Sequence, residues 1–192
     1  ESTVSLSGTV AIEFLWFDPE AHDLVIDFKD PAARVTALRA NGVSVDWTPR
    51  YDHVVLPAAA LRSGTRNRVE VTFVAGDDAL NRNDDFLYTL FVPDRAHFSL
   101  PLFDQPNLKA RFSLTLVVPE GWAALANGEG TVTLGDAGST TYQFADTAPI
   151  PSYLFAFAVG EFRVEVAERA GRTLRMFHRE TDAEKVARNR DA

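Results

Sequence analysis

Apolar and polar residues alternate with a period of two over most of this chain, the spacing of a strand that buries one face. Val10, Ile12, Phe14 and Trp16 fall on one side of the first run, with Ala11, Glu13 and Leu15 between them. Leu24, Ile26 and Phe28 repeat the pattern, with Asp23, Asp27 and Lys29 mostly opposite. Asn41-Gly42 then separates Ala37-Leu38-Arg39 from Val43, Val45 and Trp47. That dipeptide predicts a hairpin, because both central positions of a type I′ turn need a positive φ. A short strand is expected over 52–56, and 68–73 alternates almost without interruption.

The same period returns with Phe112, Leu114, Leu116 and Val118. Residues 122–126 and 131–134 flank Asn127-Gly128 and read as a second hairpin. Tyr142 and Phe144 mark a short strand. Residues 153–159 are apolar on both faces and read as a central strand. Two last alternating runs carry Phe162, Val164, Val166 and then Leu174, Met176, His178. The expected class is all-β, a meandering antiparallel sheet or sandwich.

Three stretches break the period. Residues 76–85, GDDALNRNDD, hold four aspartates but lack the spacing and downstream Glu of a calcium loop, so they read as a solvated turn. Residues 88–112 carry Pro93, Pro101 and Pro106, which bar a helix or central strand, yet they are rich in aromatics. An irregular segment this apolar is expected to pack against something. Near the end, Thr181-Asp182-Ala183-Glu184 has the form of a capping box before a helical run of about two turns. A helix that short does not stand alone. The expected division is therefore a β domain over 1–179, with 180–192 the linker and first turns of a helix leading into a further domain, the chain being a fragment.

Composition narrows the partners. The 192 residues are 46% hydrophobic and 24% charged, with a net charge of −8, which argues against nucleic acid because phosphate binding needs a basic face. The absence of cysteine excludes disulfides and thiolate metal sites. No apolar run approaches the ~18 residues of a membrane span. The opening ESTVSLSG has neither the basic start nor the apolar core of a signal peptide, and it lacks a starting methionine. The compartment stays open.

No catalytic engine is legible in the residues themselves. His22, His53, His97 and His178 are widely separated, with no H-E-x-x-H and no H-x-x-E-H. There is no G-x-S-x-G elbow, no thiol nucleophile, and neither a phosphate loop nor a dinucleotide fingerprint. One alternative is a non-catalytic β-sandwich binding or adhesion module, to which Trp16, Trp47 and Trp122 would contribute if exposed.

The irregular stretch carries a resemblance. Tyr88-Thr89 and Pro93, then Pro101, Phe103-Asp104-Gln105-Pro106 and Lys109-Ala110-Arg111-Phe112, match without a gap the pattern Y-T-Q-F-E-P…P-C-F-D-E-P-x-x-K-A-x-F. Tyr153-Leu154, Ala156-Phe157 and Val159-Gly160-Glu161-Phe162 match Y-L-x-A-F-x-V-G-x-F. Together and in order, these motifs resemble the N-terminal β domain of aminopeptidase-N-like zinc metallopeptidases, over most of the chain.

The resemblance implies a saddle-shaped all-β unit packed on its own downstream catalytic domain. Zinc, its ligands and the general base would all lie beyond Ala192, so the fragment itself would hold no cofactor and be inactive. It also implies that Leu90, Phe91 and Val92 line the cleft for a peptide substrate. In the family a Gln at the position of Leu90 shapes the first side-chain pocket, and a Glu at the position of Val92 helps bind the substrate's α-amine. Leu90 and Val92 depart from that pattern, and three readings stand open. Amine recognition rests on the downstream loop alone; Asp94 or Asp104 supplies the charge; or the parent has altered or lost its activity. For Asp104 a purely structural role, accepting backbone bonds in an Asx turn, stands beside these, as does a solvent-facing role for Lys109 and Arg111.

Overall fold

The computed structural model describes residues 5–135 and 138–191; residues 1–4, the start of the polar N-terminal stretch, lie outside them. The first half runs β1 (Ser7–Trp16), β2 (Leu24–Asp27), a single helical turn α1 (Pro31–Arg34), β3 (Val35–Ala40) and β4 (Val43–Ser44). It continues through β5 (Thr48–Arg50), β6 (His53–Leu56) and β7 (Thr65–Val74). These strands make two antiparallel sheets, ordered β1-β7-β3-β4 and β2-β6-β5. Leu24, Ile26, Phe28, Leu38, Val54, Leu56, Val69, Val71 and Phe73 form their shared core. The expected hairpin at Asn41-Gly42 is present, with φ of 53° and 83°. Asn41 also donates from Nδ2 to Oδ1 of the buried Asn67 at 2.9 Å, which ties the turn to β7.

The second half contributes β8 (Leu80–Arg82), β9 (Phe86–Thr89), β10 (Leu114–Pro119), β11 (Ala123–Ala126), β12 (Gly130–Leu134), β13 (Ser139–Phe144) and β14 (Phe157–Gly160). Its sheets are ordered β11-β14-β9-β8 and β10-β13-β12, again antiparallel. A second core gathers Leu87, Phe91, Ala96, Leu102, Val118, Ala124, Phe144, Phe155, Phe157 and Val159. The hairpin β15 (Arg163–Arg169) and β16 (Arg172–His178) follows, then helix α2 (Ala183–Asp191). The architecture is all-β with antiparallel sheets and one helix near the C-terminus.

The structure departs from the sequence expectations in four places. Asn127-Gly128 does not turn a hairpin: β11 pairs with β14, and β12 with β13. The dipeptide is a crossover between sheets. Asn127 donates from Nδ2 to Leu154 O and accepts from Ala156 N–H, while a Cβ on Gly128 would lie 2.3 Å from Ala145 O. Here glycine serves close backbone approach rather than a turn.

Residues 76–85 are not simply a solvated turn. Leu80–Arg82 forms a strand against β9, and Ala79 is completely buried. Within 153–159 only the end from Phe157 is strand; Ser152–Leu154 is a 3-10 turn. At α2 the cap is Asp182 rather than Thr181. Its Oδ1 accepts from Glu184 N–H at 3.0 Å and Lys185 N–H at 3.3 Å, and its carbonyl takes the first helical bond from Val186. A carboxylate spanning two free helix-terminal amides displaces the hydroxyl from that role.

The irregular segment 91–112 is a strap between the two halves. Leu100 packs against both cores, Phe103 against the first, and Leu102 belongs to the second. Leu102 also exchanges two backbone bonds with Asp27, sealing the outer edge of β2. Farther on, Ala110 exchanges two with Ile150. This is how the strap satisfies its backbone without forming a regular strand.

Candidate functional site

β9 delivers the chain to the positions singled out by the motif. Beyond Thr89 the strand direction continues for a few residues, because Leu90 N–H donates to Ala79 O at 2.8 Å. Alternation then sorts the side chains. Tyr88, Leu90 and Val92 face outward, at 36%, 44% and 65% exposure, while Phe91 between them is 2% exposed. Phe91 stacks on Phe155 with ring centroids 6.4 Å apart, and Phe155 stacks on Phe112 at 4.6 Å. A bond from Arg95 N–H to Phe91 O closes the turn that follows, across a cis Val92–Pro93 peptide.

The structure therefore displays Leu90 and Val92 side by side and sends Phe91 into the core. Leu90 and Val92 carry neither charge nor hydrogen-bonding atoms in their side chains, so they offer a ligand apolar contact and shape. The polar group beside them is the Tyr88 hydroxyl, which accepts from Asn81 Nδ2 at 2.7 Å.

The carboxylates around the strap are differently placed. Asp94 is exposed. The Asp104 side chain is buried and engaged: its Oδ2 accepts from the backbone N–H of His97 at 3.0 Å and lies 2.7 Å from His97 Nδ1, and its Oδ1 accepts from Ser152 Oγ at 2.5 Å. Asp27 forms a second buried node. Its Oδ2 accepts from Asp104 N–H at 2.9 Å and Gln105 Nε2 at 2.7 Å. His53 Nδ1 lies 3.0 Å from Asp27 Oδ1, out of line for a hydrogen bond. Asp27, Asp104 and Ser152 thus link β2, the strap and the approach to β14. Lys109 and Arg111 are exposed, and Arg111 donates to Thr147 O at 3.2 Å.

On the neighbouring surface Lys29 Nζ lies 2.6 Å from Asp78 Oδ2 and 4.8 Å from the Phe98 ring centre. The bond from Lys29 holds the Asp78 carboxyl below the usual carboxylate range, and the same bond raises the Lys29 ammonium. Each partner favours the charged form of the other.

Sequence reasoning missed Asp27, His97, Ser152 and the capping role of Asn127. Alternation placed Asp27 on the polar face of β2, and nothing local signals that a strap from residue 102 covers it. No three His, Asp or Glu side chains among the described residues converge in a way that could hold a metal ion. The described residues do not fit a zinc centre. No described helix is long and apolar enough to cross a membrane.

Comparison with known proteins agrees with this geometry. The family model for the peptidase M1 N-terminal domain matches residues 4–154. Human aminopeptidase B is 33% identical over 197 aligned positions, covering 86% of this chain and 29% of the relative. Bovine aminopeptidase N is 37% identical over 186, covering 81% of this chain and 19% of the relative. A solved M1 zinc metallopeptidase from Deinococcus radiodurans superposes with a TM-score of 0.72 at 24% identity, over 89% of this chain and 42% of that one. The chain thus spans less than half the length of each. With the family model matched over most of its residues, and the strap and both cores in place, the chain belongs to the peptidase M1 N-terminal domain family.

Proposed function

We propose that this chain is the substrate-cleft domain of a zinc-dependent aminopeptidase that removes N-terminal residues from peptides, and that Leu90 and Val92 line its cleft. Phe91 serves the same site from behind, as the anchor that fixes the spacing of the two exposed side chains. Residues 1–179 form the β domain, and 180–192 begin the connection to a catalytic domain that carries the zinc. The observation that carries the reading is the paired display of Leu90 and Val92 at the motif positions, on a strand end pinned by buried Phe91. The names of the relatives, all aminopeptidases or zinc metallopeptidases, support the reaction class. An adhesion module finds less support, because Trp16, Trp47 and Trp122 pack against the two cores.

On this reading the 192-residue chain alone takes up no stoichiometric zinc and leaves aminoacyl-arylamides intact, whereas a longer protein containing it hydrolyses them and stops when chelated. Chelator-sensitive turnover by the 192-residue chain would falsify the assignment.

The rim itself is tested in the longer protein with Val92→Glu. A carboxylate at this exposed position adds a charge-assisted bond to a free α-ammonium, about 1.5–3 kcal/mol. KM discrimination between free and N-acetylated substrates is expected to rise about 10- to 150-fold. Unchanged discrimination removes Val92 from the cleft.

A further inference from the structure

β1 is an edge strand that spans Ser7–Trp16, and none of the devices that blunt such edges interrupts it. It contains no proline and no lysine, and its ten pairs with β7 run without a bulge. Other edges here are shorter or blocked: β4 has two residues, β8 three, and β5 carries Pro49. The single charge on β1, Glu13, is already matched within the sheet by Arg68 Nη1 at 2.6 Å. It therefore offers a pairing strand little repulsion.

The backbone register says which groups are free. Leu6 O accepts from Ala75 N–H, so the pair 6/75 is hydrogen-bonded, and so by alternation are the even residues of β1. The N–H and C=O groups of Ser7, Thr9, Ala11, Glu13 and Leu15 point away from β7, and among the described residues no strand pairs with that side. The core row shows the same incompleteness. Val69 and Val71 on β7 are completely buried, while Val10, Ile12, Phe14 and Trp16 on β1 are only partly so. Leu15 and Phe17 stand 75% and 83% exposed at its end.

We propose that β1 pairs antiparallel with β1 of a second copy of this chain, about a two-fold axis at Ala11, joining two four-stranded sheets into one. Of the antiparallel registers, this one engages all five outward residues: Ala11 with itself, Thr9 with Glu13 and Ser7 with Leu15 of the other copy. No like charges meet, since Glu13 faces a threonine. On the core side the large Phe14 faces Gly8, and Val10 faces Ile12. A nine-residue strand is small beside the roughly 20–30 residues a side of a standard interface, so the dimer is weak, with a Kd between about 1 µM and 1 mM.

The test uses the full 192-residue chain in sedimentation equilibrium. The wild type is expected to rise from 21.2 kDa toward twice that mass with concentration. Ala11 is exposed, so Ala11→Lys leaves the fold and its melting unchanged but sets two ammonium groups across the axis, and the variant stays monomeric. Ala11→Glu does the same, and an equimolar mixture of the two variants regains the dimer. A wild type that remains at 21.2 kDa up to about 1 mM overturns the proposal. So does a Lys variant that still dimerises, or a mixture that does not.

Discussion

Phe91→Ala is expected to destabilise the chain by about 3–5 kcal/mol, while Leu90→Ala and Val92→Ala on either side each change stability by no more than about 0.5 kcal/mol. The contrast follows from alternation at the end of β9. Phe91 is 2% exposed and joins a stack that runs through Phe155 to Phe112, so truncation leaves a cavity among rings that tie both ends of the strap to the approach to β14. Leu90 and Val92 face water and lose little. Urea unfolding of the three variants gives the comparison directly. Equal effects at all three positions would mean that the rim is not organised as an outward pair on an inward anchor.

Asp104→Ala should cost about 2–4 kcal/mol. Its carboxylate gathers the His97 amide, the His97 ring and the Ser152 hydroxyl, and alanine leaves all three without that acceptor. Each stranded buried donor costs roughly 1–3 kcal/mol, and the total is held down because the His97 side chain is 23% exposed and water reaches it. Asp94→Ala, two residues past the rim and exposed, is the control and should be near neutral. A loss below about 1 kcal/mol for Asp104→Ala would show that the strap is held by apolar packing alone. The result also bears on the amine-binding readings. An Asp104 carboxylate committed to His97 and Ser152 has little left to offer a ligand.

The parts of the fold legible in the sequence are those governed by local rules. Period-two alternation located β1, β7 and β10, and Asn41-Gly42 announced its hairpin because both positions needed positive φ. Leu90, Phe91 and Val92 were reached through the motif alone, and only the structure sorts them into an outward pair and an inward ring. Asn127-Gly128 looked identical and behaved differently, since the constraint on Gly128 comes from Ala145, seventeen residues onward. Asp27 and the strand at Leu80–Arg82 were hidden for the same kind of reason. The burial of Asp27 is decided by the strap and the pairing of Leu80–Arg82 by β9, neither of which the residues around them encode. The candidate site was legible as a motif, while the hydrogen-bonded frame behind it was not, because its members lie on segments far apart in sequence.

The division into two cores also sets an order in time. The first core draws its strands from residues 7–74, so a chain emerging from the ribosome can close it before β9 has been made, leaving only Leu100 and Phe103 to be added. The second core has no such early solution. β9 waits for β14, whose pairing sets Tyr88 against Ala158, seventy residues later. At about 5–20 residues per second that is an interval of several seconds, during which β9 has only the three-residue β8 to pair with, and Leu87 and Phe91 lack most of their core. Chaperone binding during synthesis should therefore concentrate on 86–112, the segment that later holds the two halves together.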